Sequence, residues 1–309
     1  MPPGMTRLNQ TLTRALAAIY LFLSTGVGLP PTRGAEIAAK AVSRPVASAQ
    51  PFLWKVEGPR PSWLFGTIHS DDPRIATLPA QVTAALDASR TFHPEVEVSA
   101  DLALTVAAKL FQADTPDLST RLPPPLWARV KTAGESIGLP EELLQRLTPG
   151  LAALFFSAPP NADIAATIDG QVHDRAVARG LAVTALETID EQLALFEKLP
   201  EAQALAALTD ALDEVAAGRP AEKKLLTAYA SGDERALVAV VAGEFGTSPA
   251  ARALAEPLLY RRNQLMADRL APHLQAGGAF VAIGAAHLTG PRSVIELLRA
   301  RGWKITRVP

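Results

Sequence analysis

Ser62-Trp63-Leu64-Phe65-Gly66-Thr67-Ile68-His69 is a short apolar run that ends in a glycine and, three residues later, a histidine. The run reads as a buried strand, which needs cover on both faces. A glycine at its end lets the backbone turn tightly or come close to something bound. A histidine on the loop that leaves such a strand stands where α/β sheets carry their chemistry. The pattern returns far down the chain, where Ala279-Phe280-Val281-Ala282-Ile283 runs into Gly284-Ala285-Ala286-His287. The two endings predict an α/β (α+β) fold with a central mixed sheet that carries both Gly-x-x-His motifs and brings them together.

Outward from the first ending, Phe52–Glu57 alternates as a strand, and Gly58-Pro59-Arg60-Pro61 makes the turn of a hairpin. Pro79 opens a helix that runs to about Ser89. Thr91–Val98 then reads as a strand with an unusual face. Alternation sets His93, Glu95 and Glu97 on one side and Phe92, Pro94, Val96 and Val98 on the other. Two carboxylates and an imidazole are expensive to bury without a cation or solvent. Pro94 has no N–H to give a ladder, which marks an edge or the end of a strand. From about 101 to 275 the pattern is that of a large, mainly helical insertion, punctuated by Pro123-Pro124-Pro125, Pro159-Pro160 and Gly218-Arg219-Pro220. Its helices are expected near 101–113, 125–137, 141–147, 162–179, 189–198, 201–217, 221–230, 233–243 and 250–275. One strand, Leu181–Leu186, interrupts it and closes at Glu187, as a parallel crossover would. The last strand pair is Ala279–Ile283 and Trp303–Val308, joined by a helix over about 292–301.

Composition bounds the chemistry. The 309 residues are nearly half apolar with a net charge of −1, so no basic face for nucleic acid is expected. The absence of cysteine excludes disulfides, thiolate nucleophiles and cysteine metal sites. A metal would need nitrogen and oxygen donors, and the histidines available are His69, His93, His173, His273 and His287. At the N-terminus, Arg7 and Arg14 precede the apolar Ala15–Leu23, and small residues follow at Gly34-Ala35. Residues 1–35 read as a signal peptide, 36–51 as a linker and 52–309 as a single domain. The expected product is exported, periplasmic or secreted, with no stable membrane span after cleavage; an uncleaved segment would anchor it.

A single histidine after a strand is ordinarily a packed or capping residue. Two in the same context, with a strand of acids between them in sequence, point further. Neutral imidazoles and carboxylates suit first-row divalent metals, which acidify a bound water and polarise a carbonyl while a free carboxylate takes the proton. Glu187 either enters the same pocket or caps the helix near 189–198. Arg262 and Asn263 either clamp a substrate carbonyl or carboxylate or form a structural pair. His173 has Asp169 at i−4 and reads as a local surface pair, and His273 as a cation at a helix C-terminus.

Taken together, these residues resemble the TraB/GumN family, whose members are related to the Tiki metalloproteases. The resemblance rests on Trp63-Leu64-Phe65-Gly66-Thr67-Ile68-His69, Leu78-Pro79, and Phe92-His93-Pro94-Glu95-Val96-Glu97. It continues through Asp169, Leu186-Glu187-Thr188 with Gln192, Arg261-Arg262-Asn263, Ile283-Gly284-Ala285-Ala286-His287-Leu288-Thr289-Gly290 and Gly302-Trp303. It places the family's glutamate on Glu95 and its aspartate on Glu97, with His93 and Pro94 departing from the usual apolar residues. It implies a mixed α/β core in which both Gly-x-x-His motifs and Glu95 meet beneath a helical insertion.

The resulting expectation is an exported metal-dependent hydrolase, a peptidase, with a peptide or small-molecule substrate. His69, His287 and Glu95 would be metal ligands and catalytic groups, with Glu95 a ligand or general base. Gly66, Gly284, Glu97, Glu187, Arg262 and Asn263 would support the pocket. The resemblance points to manganese or cobalt, with zinc also compatible. The alternatives are a metal-independent histidine–glutamate esterase and a noncatalytic periplasmic peptide- or ligand-binding protein.

Overall fold

A computed structural model describes residues 50–75, 77–97, 116–157, 166–244 and 253–309. The expected signal segment, nearly all of the linker, the helix near 101–113 and the first residues of those near 162–179 and 250–275 lie outside them. Six strands form one mixed sheet: β1 (Leu53–Val56), β2 (Ser62–Thr67), β3 (Thr91–Pro94), β4 (Ala182–Val183), β5 (Ala279–Gly284) and β6 (Ile305–Arg307). Their order is β4-β3-β5-β2-β1-β6. Neighbours among β4, β3, β5 and β2 pair in parallel, while β1 runs antiparallel to both β2 and β6. The described helices are α1 (Ala80–Asp87), α2 (Leu118–Arg121), α3 (Pro124–Ser136), α4 (Glu141–Leu144), α5 (Pro149–Ser157) and α6 (Ile168–Ala178). After β4 come α7 (Ile189–Glu197), α8 (Glu201–Ala216), α9 (Pro220–Ser231) and α10 (Glu234–Glu244). A π turn (Glu256–Tyr260) then leads into α11 (Arg261–Ala276), and α12 (Ala285–Leu288) and α13 (Val294–Ala300) lie between β5 and β6.

The chain divides into two compact units and passes between them more than once, the last time inside α9 between Glu222 and Lys223. One holds α2–α5, α7 and α8. Within it α5 is buried along most of its length, and a Cβ on Gly150 would meet the Phe196 carbonyl oxygen at 2.0 Å. This close backbone approach explains why a helix opens on Pro149-Gly150. The helix was not anticipated from sequence, because its apolar run has no period to read. Arg219 closes its far end, donating from Nη2 to the Phe156 carbonyl at 3.1 Å.

The other unit holds the whole sheet. β5 is buried at every position, as a central parallel strand of Ala-Phe-Val-Ala-Ile-Gly should be. Directly paired residues of parallel neighbours share a face. Phe65 and Thr67 therefore lie on the same face as Phe280, Ala282 and Gly284, and as Phe92 and Pro94. Leu64 and Gly66 share the opposite face with Val281, Ile283 and His93. The ring of His173 on α6 meets Phe92 on the first face, and that of His273 on α11 lies 4.0 Å from His93 on the second. The C-terminal ends of four parallel strands thus open between α6 and α11.

Further details differ from the sequence reading, among them β4, which covers only Ala182–Val183 of the expected Leu181–Leu186. β3 proper ends at Pro94 rather than Val98, so of the two places expected for this proline the strand end holds and the sheet edge does not, and pairing goes on only as single contacts at Glu95 and Val96. β6 pairs with β1, not with β5. Gly66 sits within β2, its neighbour Thr67 still paired with Gly284. His287 rides on the short helix α12 rather than on a loop.

Gly66 is required for packing. A Cβ there would stand 3.0 Å from Cα and Cβ of Ala285 and 3.1 Å from Cβ of Phe52, and its carbonyl accepts the buried Tyr229 hydroxyl at 2.8 Å. Gly66→Ala should overpack this junction and cost about 1–3 kcal/mol, seen as a lower urea midpoint with an unchanged slope; an unaltered midpoint would show that β2 and α12 have room to part.

Candidate functional site

Each parallel strand delivers one residue to the C-terminal edge of the sheet. His69 follows β2. Its Nδ1 lies 2.5 Å from Oδ2 of Asp169, with side chains 2% and 10% exposed. Asp169 stands in the first turn of α6, where a carboxylate is favoured by the helix dipole. The Thr167 hydroxyl caps that helix by accepting from the Gly170 N–H at 3.1 Å. The surface pair of His173 with Asp169 expected from their i−4 spacing is therefore not formed. Asp169 turns to His69, while Nδ1 of His173 lies 3.6 Å from Asp174.

His287 follows β5 and is 3% exposed. Its Nδ1 is 2.6 Å from Oδ1 of Asn263, whose Nδ2 donates to the carbonyl of Arg292 at 2.9 Å. The carbonyl fixes which way the amide points, so Oδ1 must accept and Nδ1 of His287 must carry the proton. Nε2 is left with the lone pair. Burial, helped by the charge of Arg262, holds this imidazole well below its ordinary pKa and keeps it neutral.

Glu95 follows β3 and Glu187 follows β4. The Glu187 N–H donates to the Glu95 carbonyl at 2.8 Å, and Val96 bridges Glu187 in parallel register, extending the sheet past its named strands. Between the two carboxylates sits the guanidinium of Arg262, 8% exposed at its side chain. Its Nη2 donates to Oε1 of Glu95 at 2.5 Å and to Oε2 of Glu187 at 2.6 Å, and Nε reaches Oε1 of Glu187 at 3.0 Å. Oε2 of Glu95 also accepts from the Gly284 N–H at 3.0 Å. Burial, opposed by Arg262 and reinforced by Glu187, pushes the Glu95 carboxyl up to about 7.

A model of the TraB/PrgY/gumN family matches residues 52–307. The chain belongs to the TraB/PrgY/gumN family. Among curated proteins it is similar to Metalloprotease TIKI1 of Danio rerio, 25% identical over 86% of this chain and 64% of that protein. It is also similar to Metalloprotease TIKI2 of Danio rerio, 24% identical over 84% of this chain and 61% of that protein. The chain thus spans less than two thirds of the length of these relatives. No solved structure matches it.

The names of those relatives raise the question of a metal. The imidazoles suit one in part. Both present Nδ1 to an oxygen partner, the arrangement that orients a metal-binding histidine and leaves Nε2 for the ion. Glu95 does not complete a third position, since Arg262 and the Gly284 N–H engage its two oxygens. Among the described residues no group of three histidines and carboxylates stands together as a metal site.

Of the other expected site residues, Glu187, Arg262, Asn263, Gly66 and Gly284 are all in the network, Asn263 as the tether of His287 rather than a clamp. Glu97 is exposed, beyond the bridged stretch. Asp169, Thr67 and Tyr229 were not anticipated as members. Asp169 was among the residues of the resemblance but was given no role, and locally it shows only its place just after a helix N-cap.

His93 belongs to the sheet rather than the site. Nδ1 pairs with the Thr184 carbonyl at 2.9 Å and Nε2 with the Thr91 hydroxyl at 3.0 Å. Burial, and then the neighbouring His273, lower its pKa to about 4. Between the ordinary value near 6.5 and about 4 the unfolded chain takes up a proton that the folded chain refuses, so this contribution to stability is full above 6.5 and lost as pH falls to 4. At most about 3 kcal/mol is involved. Urea unfolding at pH 7 and pH 4.5 should show a smaller acid loss for His93→Gln than for the unaltered chain; equal losses would place the acid sensitivity elsewhere.

Proposed function

We propose that the chain is a hydrolase of acyl bonds, peptide bonds foremost, working at the C-terminal edge of the sheet with His69, His287 and Glu95. The observation that carries this is the anchoring of both imidazoles through Nδ1, His69 by Asp169 and His287 by Asn263. The two imidazoles are thus held at the ends of adjacent parallel strands, and Nε2 of His287 keeps its lone pair. Glu95, titrating at about 7, exchanges a proton with an attacking water near neutrality, where a general base is most effective. Arg262 holds that carboxylate in place and limits the charge it must bear. Neutral His287 directs Nε2 to the reacting group. The Thr67 hydroxyl, buried without a hydrogen-bond partner among the described residues, lies on β2 two residues before His69 and donates to a substrate oxygen.

A divalent ion, manganese or cobalt before zinc, would be held by Nε2 of His69 and His287. When bound it would polarise the scissile carbonyl and acidify water. The names of the two Danio rerio relatives support this part of the reading. The occupation of Glu95 by Arg262 favours a second, in which histidine and glutamate act without metal, as in an esterase. Among the described residues no helix is long and apolar enough to cross a membrane. Export rests on the apolar segment at Ala15–Leu23.

A screen of quenched peptides and simple esters, run on metal-stripped and manganese- or cobalt-loaded protein, tests the proposal. His69→Asn and His287→Asn should each lower turnover by about 100-fold or more while still unfolding in a single cooperative transition. Turnover restored by the ion supports the metal reading, and turnover indifferent to it the second. Folded histidine variants that cleave as well as the parent would overturn both.

A further inference from the structure

Two non-glycine residues among those described hold a positive φ, Arg219 and Arg292, each at 60°. Such a conformation costs an L-residue free energy and persists only where its surroundings enforce it. Arg219 is explained by the helix end it closes. Arg292 has no such burial. Its side chain is 55% exposed, yet the guanidinium makes a two-pronged contact with Glu256, at 2.8 and 3.0 Å, and lies 4.1 Å over the ring of Tyr260. Both partners come from the π turn that immediately precedes Arg262 and Asn263, and turns of this kind are frequent beside functional sites. An exposed ion pair of this sort adds little stability. What it does is hold a backbone orientation: the carbonyl of Arg292 receives the Asn263 amide, and that amide faces His287.

We propose that Arg292 is a positioning residue that, clamped by Glu256 and Tyr260, aims its own carbonyl at Asn263 and thereby fixes the Nδ1–H tautomer of His287. The chain of contacts runs from an exposed side chain through one backbone carbonyl and one amide to the imidazole. Glycine at this position would accept the positive φ but would leave the carbonyl free to turn. Lysine would keep the charge but lose the two-pronged contact and most of the stacking. The consequence for turnover rests on the hydrolase reading; the tautomer does not.

The test is long-range nitrogen–proton NMR on ¹⁵N-histidine-labelled protein, with His287 assigned by its loss in His287→Asn. The unaltered chain should show His287 as the Nδ1–H tautomer alone. Arg292→Gly, which suits the backbone and should fold, is expected to show a mixture with the Nε2–H form and a kcat about 10-fold lower, with KM within twofold. Arg292→Lys should lie between the two. An Arg292→Gly protein that keeps the pure Nδ1–H tautomer would overturn the proposal whatever its activity, and so would a parent chain found as Nε2–H. If no substrate is cleaved, the hydrolase reading fails alone and the tautomer result still decides for or against Arg292.

Discussion

Arg262 is a guanidinium placed between two carboxylates where water scarcely reaches, and most of the site's geometry is hung from it. Removing such charges from water costs several kcal/mol for each ion, and only close, well-aimed hydrogen bonds offset that. Here Nη2 and Nε engage Glu95 and Glu187 together, and the Gly284 N–H takes the remaining side of Glu95. The ends of β3, β4 and β5 are thereby tied to the first turn of α11. Because Asn263 is the next residue of that turn, the same interaction sets the height of the amide that faces His287. The raised pKa of Glu95 comes first from its burial, which Arg262 opposes and Glu187 reinforces.

A second constraint acts on the backbone. β2 and β5 lie side by side, offset so that Thr67 pairs with Gly284, and α12 starts directly after β5. The space for that start exists because Gly66 has no side chain. The Tyr229 hydroxyl satisfies the Gly66 carbonyl. The two glycines therefore serve different ends. Gly66 permits close packing, and Gly284 offers its N–H to a carboxylate.

Much of this was legible in the residues. The two strand endings, the hairpin before the first, the crossover strand closing at Glu187 and the acid on the strand between them all follow from alternation, apolar runs and turn chemistry. The resemblance singled out Glu95 among the acids. The pairings were not legible, because they join residues distant in sequence whose local context favours something blander. Asp169 looked like the partner of His173 one turn away, and its contact with His69 depends on where α6 crosses the sheet. Arg262 and Asn263 read as either a substrate clamp or a structural pair, and nothing local shows that one will be engaged by two carboxylates and the other by an imidazole. His93 looked like a member of the acidic face, but its ring is held by Thr91, Thr184 and His273 instead. Helix α5 was missed for an energetic reason. A proline and a glycine at its start and an unbroken apolar run after them carry no helical period, and only close packing makes the segment a helix.

The account stands or falls on whether Arg262 and its carboxylates act as one unit. A double-mutant cycle on Arg262→Met and Glu187→Gln, read by urea unfolding at neutral pH, measures that directly. Arg262→Met should cost about 3–5 kcal/mol by leaving buried carboxylates uncompensated. The double variant should recover part of that loss, so that the two changes miss additivity by about 1.5 kcal/mol or more. Costs that add to within about 0.5 kcal/mol would contradict the account, since Arg262 and Glu187 would then contribute to the fold independently.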